Sequence, residues 1–158
     1  MILIVDFGSQ YNQLIARRVR ESRVYCQIEP PTISVDAVRR LNPEGIILSG
    51  GPASIYWKKS PKVDPALFDI GVPVLGICYG MQVMIGALGG AVARADKREY
   101  GMAELTVLHP EGLFKGVDRN TPCWMSHGDS PAKLPPGFHA TASTENTPIA
   151  AMADPTRK

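Results

Sequence analysis

The sequence lacks the features that mark a membrane or nucleic-acid-binding protein. No apolar run approaches the roughly 20 residues that a helix needs to cross a bilayer. An excess of one charge is also missing, because 17 Lys and Arg face 15 Asp and Glu and leave a net charge of +2. So weak and scattered a charge gives no reason to expect nucleic acid or an anionic membrane as the partner.

Cysteine is scarce, and its positions fit neither a disulfide framework nor a zinc site. Cys26, Cys78 and Cys123 form no even set and no CxxC pair. We therefore predict a reducing, cytoplasmic compartment and no bound metal. The apolar start of the chain carries no basic leader and no small-residue cleavage site, so no secretion signal is expected.

The first half of the chain alternates strand and helix patterns. With 158 residues, 44% of them hydrophobic and 20% charged, we expect one globular domain spanning residues 1–158. The alternation predicts an α/β, flavodoxin-like three-layer domain, in which a mainly parallel sheet carries helices on both faces. The predicted strands are Ile2–Val5, Val24–Ile28, Gly45–Leu48 and Val72–Ile77, and the predicted helices are 11–19, Val35–Leu41, 65–69 and 78–88.

The C-terminal half has shorter strand patterns, separated by Gly, Pro and Asn turns without convincing helices. We expect antiparallel additions there, at Glu104–Leu108, Cys123–Ser126, Phe138–Ser143 and Ile149–Ala153. The polar residues 154–158 suit a turn that leads into another strand, so we expect the domain to continue past Lys158.

One segment predicts a nucleophile. Gly76, Cys78 and Gly80 form a G-x-C-x-G elbow between a buried strand and a helix. The glycines remove side chains that would collide with neighbouring backbone, and the helix N-terminus favours the thiolate, which is the attacking species. The N–H of Tyr79 is placed by the same turn to donate to an oxyanion. A lone cysteine on an apolar strand is more often inert, as we expect for Cys26 and Cys123.

A second Gly-rich turn follows a predicted strand at Ser49–Gly50–Gly51–Pro52. In a parallel sheet this turn lies at the same carboxyl edge as the elbow, and its glycines let a backbone N–H approach a ligand. Alone it would be a plain strand-to-loop turn; together with the elbow it predicts a second oxyanion donor.

Several segments together resemble a known family over nearly the whole chain. The turn and the elbow are similar to those of the class I glutamine amidotransferases. The DFGSQY opening, REYG and WMSHGD narrow the resemblance to the amidotransferase domain of the GMP synthetase family. The segments that carry the resemblance are Asp6–Tyr11, Ser49–Pro52, Gly76–Gln82, Arg98–Gly101 and Trp124–Asp129.

The resemblance implies a glutaminase. Cys78 would attack the side-chain amide carbon of glutamine, release ammonia and form a thioester, which water then hydrolyses to glutamate. The backbone N–H groups of Gly51 and Tyr79 would stabilise the oxyanions. The residues that the resemblance assigns to glutamine binding are Gln82, Ser126, His127, Gly128 and Asp129.

The resemblance also implies a partner module. The amidotransferase domain itself would need no cofactor. Its ammonia would pass to an ATP pyrophosphatase, or synthetase, domain or subunit that uses ATP and Mg²⁺ to convert XMP to GMP in purine biosynthesis.

A thiol nucleophile needs a base, and the chain has three histidines. In the family the base belongs to a His-Pro-Glu motif on a late strand. His109–Pro110–Glu111 matches these letters but comes too early, so we interpret it as a coincidence. The triad histidine and glutamate would then lie past Lys158, and we expect residues 1–158 alone to be weakly active or inactive.

Two alternatives remain open from the sequence. The chain resembles other class I amidotransferases as well, such as those of anthranilate, carbamoyl phosphate or CTP synthesis. It could also be a noncatalytic flavodoxin-like binding module in which Cys78 is structural. The first βα turn, at 6–10, lacks the glycine spacing of a dinucleotide or P-loop cradle, which argues against nucleotide binding there.

Overall fold

The computed structural model describes residues 1–157, except for the side chains of residues 95–98. The chain divides into two compact units, one made of Met1–Ala87 with Arg157 and one of Leu88–Thr156. The expectation that residues 1–158 form one domain stays a prediction. None of the helices in the described part of the chain is long and apolar enough to cross a membrane.

The first unit contains a four-stranded parallel sheet in the order β2-β1-β3-β4. The parallel sheet that the sequence predicts is thereby confirmed. Its strands are β1 (Ile2–Val5), β2 (Cys26–Glu29), β3 (Gly45–Leu48) and β4 (Val74–Gly76). Its helices are α1 (Asn12–Glu21), α2 (Val35–Leu41) and α3 (Tyr79–Ala87), with a 3₁₀ helix at Pro65–Asp69.

Two of these helices cover opposite faces of the sheet. On one face, Ile4 and Ile47 pack in a cluster with Ala16 of α1. The next residue of β3, Leu48, lies on the other face, where its backbone and Cβ meet Gly80 of α3. Successive side chains of a strand alternate between faces, so α1 and α3 enclose the sheet as the outer layers of a three-layer α/β fold.

Helix α2 shows how local signals set the bounds of an element. The Ser34 hydroxyl accepts a hydrogen bond from the Ala37 N–H at 3.2 Å, which satisfies a donor of the first turn. At the other end Asn42 is left-handed, with φ of +47°, and ends the helix. The predicted and observed bounds of this helix coincide.

The second unit is a four-stranded antiparallel sheet in the order β6-β5-β7-β8. The antiparallel character of this half is confirmed, but the strands form a sheet of their own. Two of them run much further than predicted, because glycines and prolines inside the strands read as turns in the sequence. The strands are β5 (Ala91–Val107), β6 (Asn120–Lys133), β7 (His139–Ser143) and β8 (Ala151–Ala153).

Candidate active site

The first unit holds a strained turn at Cys78, between the end of β4 and the start of α3. Cys78 has a φ of +51°, a left-handed conformation that costs a non-glycine residue on the order of 1–2 kcal/mol. Two backbone hydrogen bonds fix the turn: the Ile77 N–H donates to the Leu48 carbonyl and the Gly80 N–H to the Ile77 carbonyl, both at 2.9 Å. Such strain persists only where surrounding contacts hold it, and it is common at nucleophiles.

Glycines on either side of Cys78 are required by close backbone contacts. A Cβ at Gly76 would lie 2.7 Å from the Met81 nitrogen. A Cβ at Gly80 would lie 2.3 Å from the carbonyl oxygen of Leu48 in the central sheet. Since neither neighbour is the end of a flexible side chain, the elbow tolerates no side chain at these positions.

The Cys78 thiol does not show the lowered pKa that we expected from the helix N-terminus. The residue is exposed, yet the protein atoms packed around its sulfur raise the pKa of the thiol above the ordinary value. A hydrogen bond from the Tyr79 N–H lowers the pKa by less than burial raises it. A cationic group beside the sulfur would therefore be needed to make the thiolate abundant at neutral pH.

The Gly-rich turn after β3 lies against this elbow. A Cβ placed on Gly50 would be 3.6 Å from the Cβ of Cys78 and 3.8 Å from the Ile77 carbonyl oxygen, so the turn lies beside the elbow with room for little more than a methyl group between them. The turn is held by Ser49, whose side chain is fully buried. The Ser49 hydroxyl accepts a hydrogen bond from the Phe7 N–H at 3.0 Å and donates one to the Gly50 carbonyl at 2.9 Å.

Gly51 is packed equally closely, against the turn that follows β1. A Cβ at Gly51 would lie 2.4 Å from the Phe7 carbonyl oxygen. The ring of Phe7 in turn meets the ring of Tyr79 edge to face, with centroids 5.3 Å apart. Tyr79 is anchored by its hydroxyl, which donates to the Pro61 carbonyl at 2.7 Å. The loops after β1 and β3 and the elbow therefore form one packed assembly.

Gln82 lies on the first turn of α3, where its backbone N–H donates to the Cys78 carbonyl at 3.2 Å. Its side chain is 6% exposed. Within the first unit, the structure thus places all four predicted site residues in the elbow or in the loop that contacts it, namely Gly51, Cys78, Tyr79 and Gln82.

The other four predicted residues lie in the second unit, in succession on β6. Ser126 is exposed, whereas His127, Gly128 and Asp129 are half-buried. The imidazole Nε2 of His127 lies 3.2 Å from the Glu99 carboxylate on β5. The sequence alone assigned no role to Glu99. The available signal was its place in the REYG segment, which, like WMSHGD, resembles the GMP synthetase family. Arg98 of that segment lies outside the residues whose side chains are described.

Glu99 is a buried carboxylate, 7% exposed. It accepts hydrogen bonds from the Thr144 hydroxyl at 2.7 Å and the Thr147 hydroxyl at 2.8 Å. Burial raises the pKa of Glu99, but the two hydroxyl donors, His127 and the Asn146 side chain together outweigh it and leave the pKa below its ordinary value.

The His109–Pro110–Glu111 match lies just after β5. The His109 Nδ1 is 4.0 Å from the Glu111 carboxylate, and both side chains are exposed. The His109 ring also meets the ring of His139 edge to face, with centroids 5.0 Å apart. Its interpretation as a coincidence stays a prediction. Across residues 1–94 and 99–157, no group of three or more His, Cys, Asp or Glu is placed to hold a metal ion.

A flavodoxin-like sheet with a strained cysteine elbow beside a Gly-rich loop defines a class of thiol-dependent α/β enzymes. The chain belongs to the class I glutamine amidotransferase family, whose model matches residues 3–158.

Several curated proteins that are similar in sequence to this chain are GMP synthases. Over 157 residues the chain is 60% identical to the glutamine-hydrolysing GMP synthase of Heliobacterium modesticaldum and 55% identical to that of Caldanaerobacter subterraneus subsp. tengcongensis. In both cases 99% of the chain is matched, and the chain spans 31% of the relative's length.

A solved structure resembles the fold closely. It is that of a candidate GMP synthase subunit from Thermoplasma acidophilum, with a TM-score of 0.84 and 28% identity, covering 99% of this chain and 78% of that one.

Proposed function

We propose that this chain is the glutamine-hydrolysing domain of a GMP synthase, with Cys78 as its nucleophile. The observation that carries the proposal is the left-handed Cys78, which has close-packed glycines two residues before and after it and Gly50 of the Gly-rich turn beside its side chain. The 60% identity to a glutamine-hydrolysing GMP synthase over nearly the whole chain supports the substrate.

In the proposed reaction, the Cys78 sulfur attacks the side-chain amide carbon of glutamine. The C–N bond then breaks, the nitrogen takes a proton and leaves as ammonia, and a γ-glutamyl thioester remains. Water attacks the same carbon, the C–S bond breaks, and glutamate and the thiol are released. The backbone N–H groups of Gly51 and Tyr79 would stabilise both oxyanions, and one such donor is worth about 3–4 kcal/mol in comparable sites.

Because the pKa of the Cys78 thiol is raised, the proposed reaction requires a group that deprotonates the thiol or stabilises the thiolate. A thiol in these surroundings is mostly protonated at neutral pH, so attack needs a base or a cation next to the sulfur. We assign no residue of this chain to that role. We therefore propose that residues 1–158 alone hydrolyse glutamine slowly or not at all, although they bind it.

The rest of the proposal concerns the longer protein. Since the chain spans 31% of the length of these GMP synthases, we propose that a synthetase module, fused or separate, receives the ammonia and aminates XMP with ATP and Mg²⁺. We further propose that the protein works in the cytoplasm. Substrate binding is assigned to Gln82 and to 126–129 of β6.

Covalent labelling tests the proposal on residues 1–158. The probe is an L-glutamine analogue that carries a diazoketone in place of the side-chain amide, and mass spectrometry locates the adduct. We expect modification of Cys78 over Cys26 and Cys123, protection by free glutamine, and no adduct in Cys78→Ala.

A plain alkylating agent, iodoacetamide, provides the matched control. Burial raises the pKa of both Cys78 and Cys123, and the charge of Glu99 raises that of Cys123 further. Neither thiol is strongly activated, so a preference of the diazoketone for Cys78 must come from recognition of its amino acid part. If both reagents show the same pattern, or glutamine gives no protection, the noncatalytic α/β module is the better description.

A further inference from the structure

Glu99 forms a buried polar network with His127 inside the second unit. The two residues are direct partners in the antiparallel register of β5 and β6. The Glu99 Oε2 atom accepts from Thr147 at 2.8 Å and lies 3.2 Å from the His127 Nε2, while Oε1 accepts from Thr144 at 2.7 Å. A buried carboxylate is tolerated when donors surround it in this way.

This geometry fixes the tautomer of His127. An ionised carboxylate can only accept hydrogen bonds, so the proton of a neutral imidazole facing it must sit on Nε2. The other ring nitrogen, Nδ1, is buried and makes no hydrogen bond within the part of the chain that the structure describes. Among the described residues, Glu99 is therefore the one polar anchor that sets the orientation of this ring.

The anchored ring belongs to the segment that we assign to glutamine binding. His127 stands between Ser126 and Gly128 on β6, and its side chain is 14% exposed. The ring is largely buried, so its orientation and the position of the strand that carries it constrain each other. The orientation of His127 is thereby coupled to the backbone of its two neighbours.

We propose that Glu99 is a positioning residue for glutamine binding: it holds the His127 ring by its Nε2–H and so keeps residues 126–129 in the conformation that binds the substrate. This inference rests on the proposed function. Glu99 acts through His127 and needs no contact with the substrate or with Cys78.

The test separates binding from reaction at Cys78. The rate of Cys78 modification is measured against the concentration of the diazoketone analogue, for wild type and for Glu99→Gln. Loss of a hydrogen bond to a charged group corresponds to an effect on the order of tenfold. We therefore expect the half-saturating concentration to rise about tenfold in Glu99→Gln, with the limiting rate unchanged.

Glu104→Gln is the matched control, because it removes the same charge from an exposed position of the same strand. It should leave both constants at their wild-type values. Nitrogen NMR of the His127 ring provides a second readout: at a pH where the ring is neutral, the wild type should carry its proton on Nε2, and Glu99→Gln should show a mixture of tautomers. A change of fold stability alone would not move this tautomer ratio.

Three results would overturn the inference. The first is that wild type is labelled and Glu99→Gln has the same half-saturating concentration as wild type. The second is that the His127 ring of the wild type is protonated on Nδ1 alone. If Glu99→Gln does not fold, Glu99→Asp keeps the charge but withdraws the carboxylate from the His127 Nε2, and an unchanged half-saturating concentration in that variant is the third. A wild-type chain that is never labelled overturns the proposed function and the binding role together, while the tautomer is still decided by NMR.

Discussion

The contact between Gly80 and the central strand β3 predicts a large effect of a small substitution, Gly80→Ala. The new methyl carbon would lie 2.3 Å from the Leu48 carbonyl oxygen, 2.7 Å from its carbonyl carbon and 2.8 Å from its Cβ. Leu48 is fully buried, and Ile77 donates a hydrogen bond to the same carbonyl. Helix α3 and strand β3 cannot move apart to make room for the methyl group without disturbing the elbow between β4 and α3.

The magnitude follows from two opposed terms. Overpacking of this kind typically costs about 1–3 kcal/mol, and occasionally more. Replacing a glycine inside a helix by alanine returns roughly 0.5–1 kcal/mol, because the unfolded chain loses freedom. Because all three contacts are far below van der Waals distance, we expect the upper part of the range, a net destabilisation of about 2 kcal/mol. For a chain of this length that corresponds to roughly 4–8 °C in Tm.

Gly86→Ala is the matched control, in the same helix. Its Cβ would lie 3.2 Å from the Ile55 Cδ1, the mobile end of a side chain, and the position is exposed. We expect this variant to be as stable as wild type or slightly more so. Urea denaturation of both variants gives the comparison, and diazoketone labelling of Cys78 should fall in Gly80→Ala alone. Equal stability and equal labelling of the two variants would refute the assignment of Gly80 as the support of the elbow.

Three further predictions concern the strained residue, the Gly-rich loop and the buried carboxylate. Cys78→Gly should be more stable than Cys78→Ala by about 1 kcal/mol in urea denaturation, because glycine adopts φ of +51° without strain; a less stable glycine variant would contradict a left-handed Cys78. Ser49→Ala should cost about 1–3 kcal/mol and slow labelling of Cys78, because the buried Phe7 N–H loses its acceptor; Ser34→Ala, which removes a serine acceptor from the Ala37 N–H of α2, should leave labelling unchanged, and slowing in both variants would count against a specific role of Ser49. Glu99 has a pKa below the ordinary 4.5 in the folded state, so its contribution to the stability of the fold is complete above pH 4.5 and is lost as the pH falls through the lower, folded pKa. The difference in unfolding free energy between wild type and Glu99→Gln, measured in urea across this range, should therefore shrink on acidification. A difference that does not depend on pH would show that the charge of the carboxylate does not stabilise the fold.

The first half of the fold was predictable because its signals are local. Strand β3 and helix α2 have the predicted bounds, since a short buried run and a Ser cap are each visible within a few residues. Strands β5 and β6 were predicted too short, because Gly101 and Pro122 read as turns, whereas they pair across a long antiparallel ladder. Position in such a ladder depends on the partner strand, which local sequence does not specify.

In the candidate site, too, the local features were predictable from the sequence and the long-range contacts were not. The elbow at Cys78 is encoded in five consecutive residues and was therefore visible in the sequence. The network of Glu99 depends on the register that sets it opposite His127 and on Thr144 and Thr147, some 45 residues further along. The direction of the Cys78 pKa was wrong, since the sequence indicates the helix N-terminus but not how many protein atoms surround the sulfur.

The contacts that hold the elbow also belong to the core of the first unit. Gly80 rests on the backbone of β3, and Gly51 rests on the Phe7 carbonyl after β1, so both fix the neighbourhood of Cys78 through atoms of the central sheet. Changes at these glycines must therefore lower stability and reactivity together. Cys78 differs, because the residue is exposed and its backbone has a left-handed conformation that glycine adopts without strain. Strain of this kind at a non-glycine residue is typical of functional positions, and it is the physical reason for our proposal that Cys78 is the nucleophile.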